Sequence, residues 1–179
     1  MMKKIKDRIT LGAISSIIAS IPSATSYIIF NKLGLNDYHI NYPASIFLNR
    51  SRTNTSEGKI VSALVHTITD CSSGVVSTYV LSATGRDNAF MKGAGVGSFY
   101  WLTLNGLIYN NLLHIKSKKP YAPIYSWAHH ALFGGLCAFA ASKLGDDSIF
   151  PDTHILDSSQ KIPLAGYSGE VVSTLKNGD

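Results

Sequence analysis

The chain has 179 residues, 16 Lys and Arg, 11 Asp and Glu and a formal net charge of +5. This length suits one domain with a single core. The charged fraction of 15% is below the roughly 25% of soluble domains, which excludes a disordered chain or a coiled coil, and two cysteines are too few for a disulfide scaffold.

The charges are unevenly distributed along the chain. The stretches 9–31, 60–85, 93–115 and 120–142 hold 95 residues and a single charged one, Asp70. An apolar run of about 18 residues or more is long enough to cross a bilayer as a helix. We therefore predict an all-α fold, a four-helix transmembrane bundle with spans at 9–30, 60–83, 91–114 and 121–143. The alternative, a soluble four-helix protein, is disfavoured because its helices would need a charged outer face.

The first span follows a basic segment that contains Lys3, Lys4, Lys6 and Arg8. A basic segment followed by an apolar stretch also fits a signal peptide cleaved near Ala24 or Ser26. Against this alternative, the apolar run continues through Tyr27–Phe30. Lys and Arg are balanced between the two sides of the predicted bundle, so the positive-inside rule does not determine the orientation. The basic amino terminus alone leads us to expect a multi-pass cell-membrane protein with cytoplasmic termini.

The connection 33–59 predicts a short interfacial helix between spans one and two. Asn41-Tyr42-Pro43 has the pattern of a helix start, with Pro at an early position, and apolar residues follow. A re-entrant turn is the alternative. The predicted organisation is a transmembrane four-helix domain, 1–144, and a polar acidic tail, 145–179, that is partly disordered.

Polar residues inside the predicted spans are candidates for function because ionisable groups are costly at membrane depth. Asp70 follows His66 by one helical turn, and Ser62, Ser73 and Ser77 extend the same stripe. Asn105 in span three and His130 in span four complete the predicted intramembrane site. His129 is expected on a different face of span four from His130, alongside Tyr125 and Phe133.

Three interpretations of this polar site remain open. It is a hydrogen-bond network that fixes helix packing, or a polar path for protons, ions or a small solute, or a metal site formed by His66, Asp70 and His130. The sequence does not identify a cofactor, which stays unknown. It contains no G-x-S-x-G, P-loop, dinucleotide or H-E-x-x-H motif, which makes an enzyme the less favoured class.

Small residues in the spans predict helix contacts. Gly93 and Gly97 in span three and Gly134 in span four are expected to let helices approach closely. Cys71 and Cys137 are expected to be buried packing residues rather than a bridge.

The expected function is that of a small membrane protein with a polar interior, transport- or channel-like. A structural or partner-binding membrane subunit and a membrane-embedded metal or redox protein are the alternatives. The lipid bilayer is the expected partner, together with a second copy of the chain or another membrane protein. Nucleic acid is not expected, because the positive charge flanks the spans.

Several short motifs add a family resemblance that covers roughly residues 4–150. They are Lys6-Asp7-Arg8-Ile9, Leu81-Ser82-Ala83-Thr84-Gly85-Arg86-Asp87 with Lys92-Gly93, Ser126-Trp127-Ala128-His129-His130 with Phe133-Gly134-Gly135, and Leu144-Gly145-Asp146-Asp147-Ser148-Ile149-Phe150. With them the chain resembles an uncharacterised family of small four-span integral membrane proteins from Gram-positive, Clostridium-like bacteria. The resemblance implies a bacterial membrane location and no particular chemistry.

Overall fold

The computed structural model describes residues 4–151, and all regular elements within them are helical. The four main helices are α1 (Arg8–Lys32), α2 (Ser56–Thr84), α3 (Ala89–Trp101) and α4 (Ala122–Leu144). A π-helical segment, Leu102–Leu112, continues α3. The predicted all-α class is thus confirmed, whereas most of the predicted acidic tail, 152–179, lies outside the described residues.

Capping groups fix where the helices begin and end. The Asp7 carboxylate accepts a hydrogen bond from the Thr10 N–H at 2.7 Å, and the Thr55 hydroxyl accepts one from the Gly58 N–H at 3.2 Å. Both side chains satisfy backbone donors that a helix start leaves unpaired. At the other end of α2, Gly85 adopts φ +88°, a left-handed conformation that glycine enters without the steric penalty of a Cβ.

Consecutive helices run antiparallel, with Gly12 of α1 against Gly74 of α2 and Gly93 of α3 against Gly134 of α4, so the bundle has two distinct ends. At the lower end, Ile5 pairs with Gly145, and the Ile5 N–H donates to the Leu144 carbonyl at 3.0 Å. The α2–α3 connection at 85–88 lies at this end as well. The connections 33–55 and 113–121 form the upper end.

Two of the helices are long and apolar enough to cross a membrane. They are α1, with 25 residues, and α2, with 29 residues. At 1.5 Å per residue even a 23-residue helix such as α4 extends about 34 Å, compared with a hydrocarbon core of about 30 Å. Length and composition of α1 and α2 indicate membrane association.

Glycines bring the helix backbones close together between the lower end and the middle of the bundle. A Cβ added to Gly12 of α1 would lie under 3.0 Å from the backbone of Gly74 and Val75 of α2. A Cβ on Gly93 would collide in the same way with the Gly134 carbonyl, and one on Gly97 with the His130 carbonyl. Helix α3 therefore packs backbone against backbone on α4, and α1 on α2.

The lower half of the bundle is filled by apolar side chains. Leu11 of α1 and Leu81 of α2 are completely buried, and the remaining members of this core are Ala89, Ala138, Ala141, Ile149 and Phe150. At the same end Arg86 forms an ion pair with Asp147 at 2.5 Å and lies 5.0 Å from the centre of the Phe150 ring. Residues 145–150, the start of the predicted tail, thus complete the lower core.

The predicted short helix after Asn41 is present as a 3₁₀ helix, Tyr42–Ile46, with Pro43 at its start. A second 3₁₀ turn, Arg50–Arg52, precedes α2. Asn41 connects the two turns, because its side-chain amide donates to the Asn54 side chain at 3.0 Å. The connection is therefore folded on the upper end of the bundle.

The glycine contacts predict opposite effects for two substitutions in α3. Gly93→Ala places a methyl group against the α4 backbone, whereas Gly95→Ala points into open space, with nothing within 4 Å. Overpacking costs about 1–3 kcal/mol, while alanine gains up to about 1 kcal/mol over glycine in a helix. We expect Gly93→Ala to lower the Tm of the purified protein in detergent and Gly95→Ala to leave it unchanged or raise it. Equal Tm values for the two variants would refute the close contact.

Candidate functional site

A cavity of about 720 Å³ occupies the upper half of the bundle. Its lining residues fall within 20–30 of α1, 59–73 of α2, 97–109 of α3 and the π segment, and 125–133 of α4. The connection contributes residues 36–43. Each helix lines the cavity with its upper half, and the lower halves form the apolar core described above.

The structure places all four predicted polar residues on the wall of this cavity. His66 and Asp70 line it from α2, Asn105 from the π segment and His130 from α4. Ser62 and Ser73 of the predicted stripe also line it, whereas Ser77, one turn below Ser73, is buried outside it. The stripe on α2 therefore crosses from the cavity into the closed half of the bundle.

Both histidines of the predicted site donate to backbone carbonyls. His66 Nε2 lies 3.1 Å from the Ile40 carbonyl oxygen, which also accepts a bond from the Ser62 hydroxyl at 2.9 Å. His130 Nδ1 lies 2.7 Å from the Ser126 carbonyl oxygen, within its own helix. Since a carbonyl oxygen only accepts, the bonded nitrogen of each imidazole carries the proton.

Two oxygen-bearing groups at the inner end of the cavity have no such partner. Within residues 4–151 the Asp70 carboxylate makes neither a hydrogen bond nor an ion pair. The Ser73 hydroxyl is buried and has no hydrogen-bond partner among the described residues. Asp70 and Ser73 lie about one helical turn apart on α2, so both are on the same side of the helix, with Asp70 nearer the open part of the cavity and Ser73 buried.

His129 also belongs to the site, which the sequence pattern did not predict. Its Nδ1 lies 2.9 Å from the Ser26 hydroxyl, and its Nε2 lies 3.3 Å from the Ser23 hydroxyl. These bonds join α4 to α1 inside the cavity wall. Ser23 and Ser26, three residues apart on α1, are the available sequence signal, although serines recur throughout this span.

The metal-site hypothesis on His66, Asp70 and His130 is not supported by the geometry. Across residues 4–151, no three His, Cys, Asp or Glu side chains lie together in an arrangement that could hold a metal ion. The physical reason is that the His66 side chain is directed to the connection and His130 to its own helix. Lining one cavity does not bring the three groups within ligand distance of one another.

Aromatic side chains form much of the remaining wall. Eight of them line the cavity: Tyr27, Phe30, Tyr38, Tyr42, Tyr100, Tyr109, Tyr125 and Phe133. Among the lining residues the only carboxylate is Asp70 and the only Lys or Arg is Lys59, which is exposed at the start of α2. The cavity is thus an aromatic, hydroxyl-rich space with one acidic group at its inner end.

The π-helical segment shapes one side of this space. Tyr100, Leu104, Asn105 and Tyr109 line the cavity, with Tyr100, Asn105 and Tyr109 at intervals of five and four residues, wider than the 3.6 of an α-helix. The Tyr100 hydroxyl donates to the Ser72 hydroxyl at 3.0 Å and ties α3 to α2. The sequence predicted an ordinary helix over this span. Long π segments are rare and recur at functional sites.

The connection 36–43 covers the upper end of the cavity and is held from two sides. The Tyr27 hydroxyl donates to the Tyr38 carbonyl at 2.9 Å, and the Asp37 carboxylate accepts from the Ser117 hydroxyl and, at 2.8 Å, from the Lys118 N–H. Burial opposes ionisation of Asp37, but the bonds from Ser117 and Lys118 outweigh it and hold the pKa of this carboxyl below its ordinary value of 3.8. Asp37 thereby links the two upper connections.

In comparisons with known proteins, no family model, curated protein or solved structure matches the chain. The arrangement of the cavity is therefore the basis for a functional conclusion.

The lowered pKa of Asp37 predicts a pH-dependent contribution to stability. A carboxyl whose folded-state pKa lies below its unfolded value stabilises the fold above the unfolded value, near 3.8, and loses this effect as the pH falls through the folded-state pKa. We expect Asp37→Asn to lower the Tm at pH 7 by about 2–4 °C, the equivalent of about 1 kcal/mol. The difference should shrink as the pH is lowered through 3.8. A difference that is independent of pH would show that the Asp37 charge contributes nothing.

Trypsin cleavage shows where in the structure the Asp37→Asn substitution acts. Arg50 and Arg52 are exposed in the upper connection, where trypsin would cleave. Asp37→Asn should accelerate cleavage there, whereas Asp87→Asn, which removes the ion pair with Lys92 at the lower end, should not.

Proposed function

We propose that this chain is an integral membrane protein with four spans that binds a small solute in its cavity and acts in a transport-like manner. The observation that carries the proposal is the position of the cavity, which brings His66, Asp70, Asn105 and His130 together in one half of an otherwise closed bundle. Its volume of about 720 Å³ falls in the range of about 300–1,000 Å³ typical of small-molecule sites.

The outer surface supports four spans rather than two. Every main helix carries large apolar side chains that are about half exposed or more, among them Ile21 on α1, Ile68 on α2, Phe99 on α3 and Phe139 on α4. A soluble protein seldom leaves apolar surface of this extent in contact with water. A hydrocarbon environment around all four helices accounts for it.

The closed lower half favours a solute-binding site over a continuous channel. Below Ser73, the contact of Gly12 with Gly74 and the burial of Leu11 and Leu81 leave the cavity no extension towards the lower end among the described residues. A solute that enters from the upper side would stop near the middle of the membrane. Release on the other side would require the lower half to open, as alternating-access transporters do.

The orientation rests on the basic amino terminus alone, because Lys and Arg are balanced between the two ends of the bundle. Lys4, Lys6 and Arg8 lie at the lower end. The lower end, with residues 5 and 145, is therefore placed in the cytoplasm. The cavity then faces the outside of the cell.

Cysteine labelling in intact cells tests the cavity, the orientation and the odd number of crossings that four spans require between residues 51 and 148. In a Cys71→Ser, Cys137→Ala background, a charged, impermeant thiol reagent should label Ser51→Cys at the upper end and leave Ser148→Cys unlabelled until the cells are opened. Asn105→Cys, in the cavity, should react from the same side as Ser51→Cys. The matched control is Leu107→Cys, two residues further along the π segment on the lipid-facing side, which should stay unreactive.

Two results would contradict the proposal. Labelling of Ser51→Cys and Ser148→Cys from the same side would exclude an odd number of crossings between residues 51 and 148, and with it the four-span arrangement. Equal reactivity of Asn105→Cys and Leu107→Cys would show that the cavity is not a distinct aqueous space.

A further inference from the structure

We propose that the cavity binds a small organic ammonium ion, with the Asp70 carboxylate as its counter-charge. This inference rests on the proposed function, since it names the class of solute that the same cavity takes. Two observations carry it: the charged Asp70 side chain without a partner, and the aromatic walls of the cavity.

The charges of the cavity wall select for a cation at its inner end. Asp70 is the only carboxylate among the lining residues, and Lys59 is the only Lys or Arg. The two lie eleven residues apart on α2, about 16 Å along the helix axis. Lys59 is exposed and forms no ion pair with Asp70 within residues 4–151, so it does not supply the counter-charge of this carboxylate.

The inner end also holds a carboxylate without a partner. The half-buried Asp70 side chain makes no hydrogen bond and no ion pair within residues 4–151. A carboxylate with reduced access to bulk water is stabilised when a cation or hydrogen-bond donors compensate it. An ammonium group placed beside Asp70 would supply both the charge and the N–H donors.

The aromatic walls of the cavity favour an organic cation over a metal ion. Aromatic rings attract ammonium groups through their quadrupole, and the attraction is greatest where the cation is desolvated. The cavity presents eight such rings and a volume of about 720 Å³, far more than a bare metal ion fills. A single carboxylate with no second acidic ligand in the wall also makes a weak site for a divalent metal.

Charged thiol reagents measure this selectivity directly. Asn105→Cys is treated at pH 8, where imidazole groups are ordinarily uncharged, with a trimethylammonium methanethiosulfonate and with a sulfonate methanethiosulfonate. The ratio of the cationic to the anionic rate constant is normalised to the ratio for a free thiol in solution. We expect Asp70→Asn to lower this ratio about tenfold, since a charged cleft raises local counter-ion concentration by about 10–10³-fold. Asp70→Glu, which keeps the charge, should leave the normalised ratio unchanged.

A competition experiment does not depend on folding of the Asp70 variants. Tetramethylammonium chloride should slow modification of Asn105→Cys more than NaCl at the same ionic strength. A normalised ratio that Asp70→Asn leaves unchanged, or the absence of protection by tetramethylammonium, would overturn the ammonium proposal. Failure of both reagents to reach Asn105→Cys would instead refute the proposed function, because the cavity itself would be closed to solutes.

Discussion

The close approach of helix backbones at glycine is the constraint on which the rest of this structure depends. Gly12 meets the backbone of α2 at Gly74, and Gly93 and Gly97 meet the backbone of α4 around Gly134. At these points the helices are too near one another to admit any side chain between them. The contacts lie at or below the middle of the bundle, so the upper halves of the helices are free to separate.

The cavity is the consequence of that separation. Above the glycine contacts, hydroxyls, imidazoles and aromatic rings replace the alanine and leucine side chains of the lower core. Several of these polar groups form hydrogen bonds that hold the cavity walls together. His129 joins α4 to α1. Ser62 and His66 donate to the carbonyl of Ile40, in the connection that covers the upper end of the cavity. Asp70 is not used in this way, because it makes no hydrogen bond or ion pair within residues 4–151. The groups that hold the cavity walls together are therefore distinct from the carboxylate that is available to a solute.

Much of the helical framework could be predicted from the distribution of charge, because the charge-free stretches coincide with helices. The segment predicted at 60–83 is the core of α2, Ser56–Thr84, and that predicted at 121–143 corresponds closely to α4, Ala122–Leu144. The four-residue spacing of His66 and Asp70 placed both on one face, since helical periodicity is a local property. The prediction that each charge-free helix crosses the membrane concerns the surroundings of the helices and stays a proposal; α1 and α2 are long and apolar enough to do so.

The remaining features depend on contacts between helices, which cannot be predicted from a single sequence. His129 and His130 are neighbours on α4, and only the position of α1 decides that His129 bonds Ser23 and Ser26. The π segment 102–112 follows α3 without a proline or another signal at the junction. His66, Asp70 and His130 line one cavity but form no group that could hold a metal ion within residues 4–151, because lining the same cavity does not fix the distance between side chains.

The central claim is that water and solutes reach the upper half of the bundle and not the lower half, and cysteine scanning along the inner face of α2 tests it most directly. In membranes, an impermeant thiol reagent applied from the upper side should modify cysteines at Ala63 and His66, which are exposed on the cavity wall, and fail at the buried positions Ser73, Ser77 and Leu81. Modification at all five positions would show a continuous pore. Modification at none of them would show that the cavity does not exist in the membrane.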